Sequence, residues 1–76
     1  MERILKNIFS DLLKLDFEVI NDDLRMKDLD IWDSLMHMEL IVTIEKEFEL
    51  EFSFEEIVSM QNFGEINKVL KKRLDN

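Results

Sequence analysis

Ile4, Ile8 and Leu12 form one row of apolar side chains at four-residue spacing, and Leu5, Phe9 and Leu13 form a second row beside it. Two adjacent rows make one wide apolar stripe on a helix, and such a stripe must be covered by other elements. The spacing predicts a first helix from Glu2 to Leu15. The 76 residues contain no cysteine, no proline and a single glycine. Neither a disulfide framework nor a cysteine-ligated zinc site is available, so packing alone has to hold the fold together. A chain of this size buries only about 60% of the surface it exposes when unfolded, which predicts one domain over residues 1–76, one core and modest stability.

From Asp16 to Ser34 the periodicity fades. Acids gather at Asp22, Asp23, Asp28, Asp30 and Asp33, while Phe17, Val19, Ile20, Leu24, Met26, Leu29, Ile31 and Trp32 recur among them. A connection this long is uncommon in a compact domain and tends to be functional, and its apolar residues predict that it is pinned across the helices. Asp33 and Ser34 are both favourable N-cap types, predicting a second helix from Ser34 to Glu49. Glu51 to Ser53 reads as a turn. Phe54 to Met60, with Ile57, Val58 and Met60, is too short for an independent helix and reads as one or two turns held by packing. Asn62 followed by Glu65 has the capping-box spacing, with Asn in place of Ser or Thr, so a last helix starts near Phe63. It is expected to bury Phe63, Ile66, Val69, Leu70 and, at its end, Leu74. Lys71, Lys72 and Arg73 then oppose the negative end of its dipole. The predicted fold class is all-α: a four-helix bundle of three longer helices and one short one, with a long loop between the first two.

Eighteen acidic against ten basic residues give a formal charge of −8. That charge repels phosphate backbones and anionic lipid, which argues against nucleic acid and favours partners with basic docking surfaces. At 46% hydrophobic residues the chain is too apolar for a disordered acidic tail. No stretch approaches the ~20 apolar residues that span a bilayer, and the amino terminus lacks a signal-peptide pattern. The reading is therefore a cytoplasmic monomer without membrane insertion.

The second helix has apolar residues on two sides. At 100° per residue His37, Leu40, Ile41, Ile44 and Phe48 share one sector, assigned to the core, while Leu35, Met38 and Val42 fall opposite, flanked by Glu39, Glu45 and Glu49. One face suffices for a core. An apolar strip edged by carboxylates reads as a docking surface for a basic-rimmed groove. The other reading is that the loop or the short third helix covers the strip, since small bundles often bury a helix on two sides.

Ser34 opens this helix. Its plainest role is helix capping, but Asp33 can serve as the cap instead and leave the serine hydroxyl outward. A phosphodiester on that hydroxyl would face free backbone N–H groups and the positive end of the dipole. His37, one turn on, raises a nucleophilic serine reading. Against it, this is the sole histidine, it points toward the core stripe, and it is better read as a partly buried histidine bonded to the loop backbone. Asp28, Asp30 and Glu39 match positions 1, 3 and 12 of a calcium loop, but Trp32 at position 5 and Asp33 at the required glycine break the pattern, so no metal site is assigned.

Trp32-Asp33-Ser34-Leu35, followed by Met38-Glu39-Leu40-Ile41 and Ile44-Glu45-Lys46-Glu47-Phe48, resembles the acyl carrier proteins along the whole chain. The resemblance implies a four-helix bundle and a non-catalytic carrier. It implies that a phosphopantetheinyl transferase, using coenzyme A and magnesium, attaches 4′-phosphopantetheine to Ser34, between Asp33 and Leu35. It also implies that Leu35, Met38, Glu39, Val42 and Glu45 meet partner enzymes, both an acyl-loading ligase or transferase and acyl-using enzymes. Met36 and Lys46 stand where fatty-acid carriers often have acids, and Asp30-Ile31-Trp32 replaces a glycine-containing step. In these respects the chain is more similar to stand-alone Trp-Asp-Ser-Leu carriers of specialised pathways. The alternative reading is an acidic helical interaction module without a prosthetic group.

Overall fold

The first apolar stripe folds as α1, Glu2–Leu13, in a computed structural model that describes residues 1–75. It ends two residues before the expected Leu15. Lys14 turns into the left-handed region at φ 59°, and the N–H groups of Lys14 and Leu15 both reach the Ser10 carbonyl. A lysine at this position gives no local warning of the stop, because glycine is the usual residue there. The helices that follow are α2 (Ser34–Phe48), α3 (Phe54–Ser59) and α4 (Phe63–Leu74). Between α1 and α2 the long connection contains two single 3-10 turns, Phe17–Val19 and Met26–Asp28.

Local caps explain where each later helix starts. Asp33 Oδ1 accepts from Met36 N–H at 2.9 Å, and Asn62 Oδ1 accepts from Glu65 N–H at 2.6 Å. The reciprocal capping box sits at α3, where Ser53 Oγ accepts from Glu56 N–H and the Glu56 carboxylate accepts from Ser53 N–H. The residues expected only to make a turn are thus what starts the shortest helix.

The core is built from Leu5, Phe9, Leu13, Leu40, Ile41, Ile44, Phe63, Ile66 and Leu70 of α1, α2 and α4, closed by Ile20, Trp32, Phe52 and Met60 from the connections. Phe9 lies at its centre, edge-on to Trp32 at 5.2 Å and to Phe63 at 5.0 Å between ring centroids. Such edge-to-face pairs contribute about 0.5–1.5 kcal/mol each beyond their buried area. Val69 is half-buried against this core, while Leu74 and Val58 are exposed, contrary to the packing expected of both.

The long connection is pinned as expected, and by backbone. Met26 N–H donates to the Gln61 carbonyl at 2.8 Å, Phe63 N–H to the Leu24 carbonyl at 2.9 Å, and Gly64 N–H to the Asp22 carbonyl at 3.3 Å. The only glycine in the chain lies at this seam, where an added Cβ would stand 3.0 Å from the Asp22 carbonyl oxygen. Gly-to-Ala changes inside helices commonly stabilise by up to about 1 kcal/mol. Gly64→Ala is expected to do the opposite and destabilise by about 1–2 kcal/mol in a urea titration, because the loop backbone has to move away. A gain in stability would mean that the seam is looser than these distances.

Lys71, Lys72 and Arg73 lie in the last turn of α4 as expected, and Arg73 also reaches beyond its own helix. Its guanidinium donates to Glu56 Oε1 and to the Glu51 carbonyl, both at 2.7 Å, and so ties the end of α4 to the α2–α3 turn.

Candidate functional site

The chain has five hydroxyl side chains, at Ser10, Ser34, Thr43, Ser53 and Ser59. Four are engaged. Ser10 donates to the Leu15 carbonyl, Thr43 to the Glu39 carbonyl and Ser59 to the Glu56 carbonyl, while Ser53 accepts from Glu56 N–H. Ser34 alone has no hydrogen-bond partner among the described residues, and it is exposed. Asp33 explains why: its carboxylate takes the capping role, which frees the hydroxyl of the first helical residue.

The surroundings of that hydroxyl favour an anion. The N–H groups of Ser34 and Leu35 have no backbone or side-chain acceptor among the described residues, whereas Met36 N–H and His37 N–H are taken by Asp33. Free first-turn N–H groups and the helix dipole together stabilise negative charge at such a point. Beside Ser34 opens an apolar cleft of about 260 Å³, lined also by Met26, His37, Met38, Phe54, Ile57, Val58 and Gln61. A phosphodiester with a long flexible arm fits this arrangement.

His37 is not poised as a base for Ser34. Its Nδ1 accepts from the Trp32 indole Nε1–H at 3.1 Å, and its Nε2 lies 3.0 Å from the Ile57 carbonyl. Because the indole can only donate, Nδ1 must carry the lone pair and Nε2 the proton. Both nitrogens are therefore occupied in holding the loop and α3 against α2. The partners are a loop side chain and the α3 backbone, and so differ from the expected loop backbone. Of the three calcium-loop residues, Asp28 is paired with Arg25 at 2.9 Å.

The strip on α2 is open. Leu35, Met38 and Val42 are 80%, 46% and 43% exposed, so neither the loop nor α3 covers them. Together with Glu39, Thr43 and Lys46 they line a groove of about 460 Å³. Glu45, expected on the acidic rim, is half-buried, and its Oε2 accepts from Phe52 N–H at 2.9 Å. The sequence reading took Phe54 only as a helix start and Val58 as a packing residue, but Phe54 is 77% and Val58 50% exposed. Their four-residue spacing, facing away from Met60, was the available signal.

Comparison with known proteins identifies the family. A family model described as a phosphopantetheine attachment site matches residues 3–70. The chain is 34% identical over 71 residues to the polyketide-8 synthase acyl carrier protein 2 of Streptomyces avermitilis, covering 92% of this chain and 80% of that protein. Its fold superposes on the solution structure of a holo acyl carrier protein from Geobacter metallireducens with a TM-score of 0.77 at 30% identity, covering 99% of this chain and 91% of that one. With the family pattern running through nearly all of its length and the fold shared with a holo carrier, the chain belongs to the phosphopantetheine-attachment family and is an acyl carrier protein, one that bears acyl groups as thioesters on a covalent 4′-phosphopantetheine arm.

Proposed function

We propose that Ser34 is the attachment point, loaded from coenzyme A by a phosphopantetheinyl transferase, and that partner enzymes dock on the α2 strip of Leu35, Met38, Glu39 and Val42. The single observation that supports the first part best is the free Ser34 hydroxyl beside a carboxylate that has taken over capping. Asp33 holds the helix start, and the N–H groups of Ser34 and Leu35 face the phosphodiester. The attached group supplies a terminal thiol that holds the acyl cargo. Fixing that tether at the end of the docking helix keeps cargo close to any partner seated on α2, so transfer becomes effectively intramolecular. Glu45 serves the same surface indirectly, by holding the α2–α3 turn through Phe52 N–H.

The reading extends to an acyl-loading ligase or transferase and acyl-using enzymes of a specialised pathway. The polyketide carrier among the relatives supports that setting. The chain acts as a single monomeric carrier domain, and the cytoplasm, where coenzyme A and such transferases meet it, is the matching compartment. No helix among the described residues is long and apolar enough to cross a membrane. The test is intact mass after incubation with a broad-specificity phosphopantetheinyl transferase, coenzyme A and magnesium. One phosphopantetheinyl group per chain is expected. A bare polypeptide mass, joined to tight binding of a basic protein, would instead favour an unmodified acidic interaction module.

A further inference from the structure

The α2 groove carries opposite charges toward its two ends. Over the floor of Leu35, Met38 and Val42, Glu39 stands nearer Ser34 and Lys46 lies seven positions further along the same helix. Seven helical residues place them about 10 Å apart along the axis. Neither forms an ion pair among the described residues. Thr43, between them, uses its hydroxyl on the Glu39 carbonyl and offers no competing donor. The other acids nearby do not reverse this pattern. Glu45 has one oxygen committed to Phe52 N–H, and Glu49, which closes the helix at φ 55°, is not among the residues lining the groove.

A partner with basic groups alone would satisfy Glu39 and be repelled at Lys46. Covering the apolar floor excludes water from the groove and strengthens both the matched and the mismatched contact. We propose that this groove takes a partner-enzyme segment whose apolar side chain seats on Leu35, Met38 and Val42 between a basic group facing Glu39 and a carboxylate facing Lys46. This rests on the carrier reading of the same surface and specifies the partner chemistry that reading leaves open. The net acidity of the chain steers the encounter, and Lys46 sorts among basic partners once they arrive.

The test uses two helical peptides that share the same leucine face. One has arginine at one end and glutamate at the other, and the second has arginine at both ends. Each is titrated into the arm-bearing protein and into the unmodified protein, with binding followed by backbone amide shifts. The mixed-charge peptide is expected to bind wild type about fivefold more tightly than the dibasic one, with shifts centred on Leu35 to Lys46. On Lys46→Glu, a solvent-exposed change that leaves the core intact, the order is expected to reverse. Equal or tighter binding of the dibasic peptide to wild type overturns the proposal, as does binding of neither peptide or shifts centred elsewhere. A protein that takes the arm yet prefers the dibasic peptide keeps the carrier reading and loses this one. A protein that prefers the mixed-charge peptide but never takes the arm does the reverse.

Discussion

Replacing His37 by alanine is expected to lower stability by about 2–4 kcal/mol, because it leaves the Trp32 indole N–H without an acceptor and the Ile57 carbonyl without its donor. Trp32 is 1% exposed, so water cannot take over the lost bond without opening the core. For a domain of this size that loss corresponds to a fall in melting temperature of roughly 10–30 °C. It is a large share of the total, since small domains have only about 5 kcal/mol or somewhat more to lose. Trp32 is the sole tryptophan, so its emission reports the same event and should shift to longer wavelength as the indole becomes hydrated. Trp32→Phe removes the donor and keeps most of the ring packing, so it costs less. In the double variant the penalties do not add, because the unsatisfied indole is already gone. A drop of only a degree or two in His37→Ala would show that the bond chain from loop to α2 to α3 does not hold the fold.

Substituting Ser34 with alanine is expected to abolish arm attachment completely while leaving the fold unchanged. The side chain is exposed and makes no hydrogen bond among the described residues, so its loss falls within the roughly ±0.5 kcal/mol usual for surface changes. Asp33→Ala should give the mirror image. It removes the cap on Met36 N–H, costs about 1 kcal/mol in helix stability and keeps the attachment hydroxyl. The pair separates the two roles that a serine at a helix start can play. Thermal melts and intact masses of both variants decide it: a destabilised Ser34→Ala with normal Asp33→Ala would return the capping role to the serine.

Much of the fold was legible because it depends on local spacing. The double row on α1, the caps at Asp33 and Asn62, and the two apolar sides of α2 are all properties of residues three to eight apart. The angular assignment put Leu35, Met38 and Val42 opposite the core face and left their covering undecided, and the structure leaves them exposed. What the sequence did not reveal depends on distant partners. Nothing near Met26 announces its bond to the Gln61 carbonyl, and nothing near Arg73 announces Glu56 and the Glu51 carbonyl.

The rim of the apolar strip on α2 was read less well for the same reason. A helical angle put Glu45 at the edge of the strip, but only the path of the α2–α3 turn brings Phe52 N–H to its carboxylate. The sequence reading noted Lys46 as a departure from a frequent acid, yet its place in the groove lining depends on how the folded helix presents it. His37 was expected to be partly buried and bonded. Its actual partners, an indole from the loop and a carbonyl from α3, lie on elements whose packing no local pattern encodes.

The central claim is that one hydroxyl of the five, left free by its neighbour's carboxylate, anchors the arm. Fragmentation mass spectrometry of peptides from the transferase-treated protein reads the modified atom's residue directly. The expected result is a single phosphopantetheinyl group on Ser34 in the peptide containing Trp32 to Met36, and none elsewhere. Finding the group on Ser10, Thr43, Ser53 or Ser59, or finding every serine and threonine bare, would contradict it.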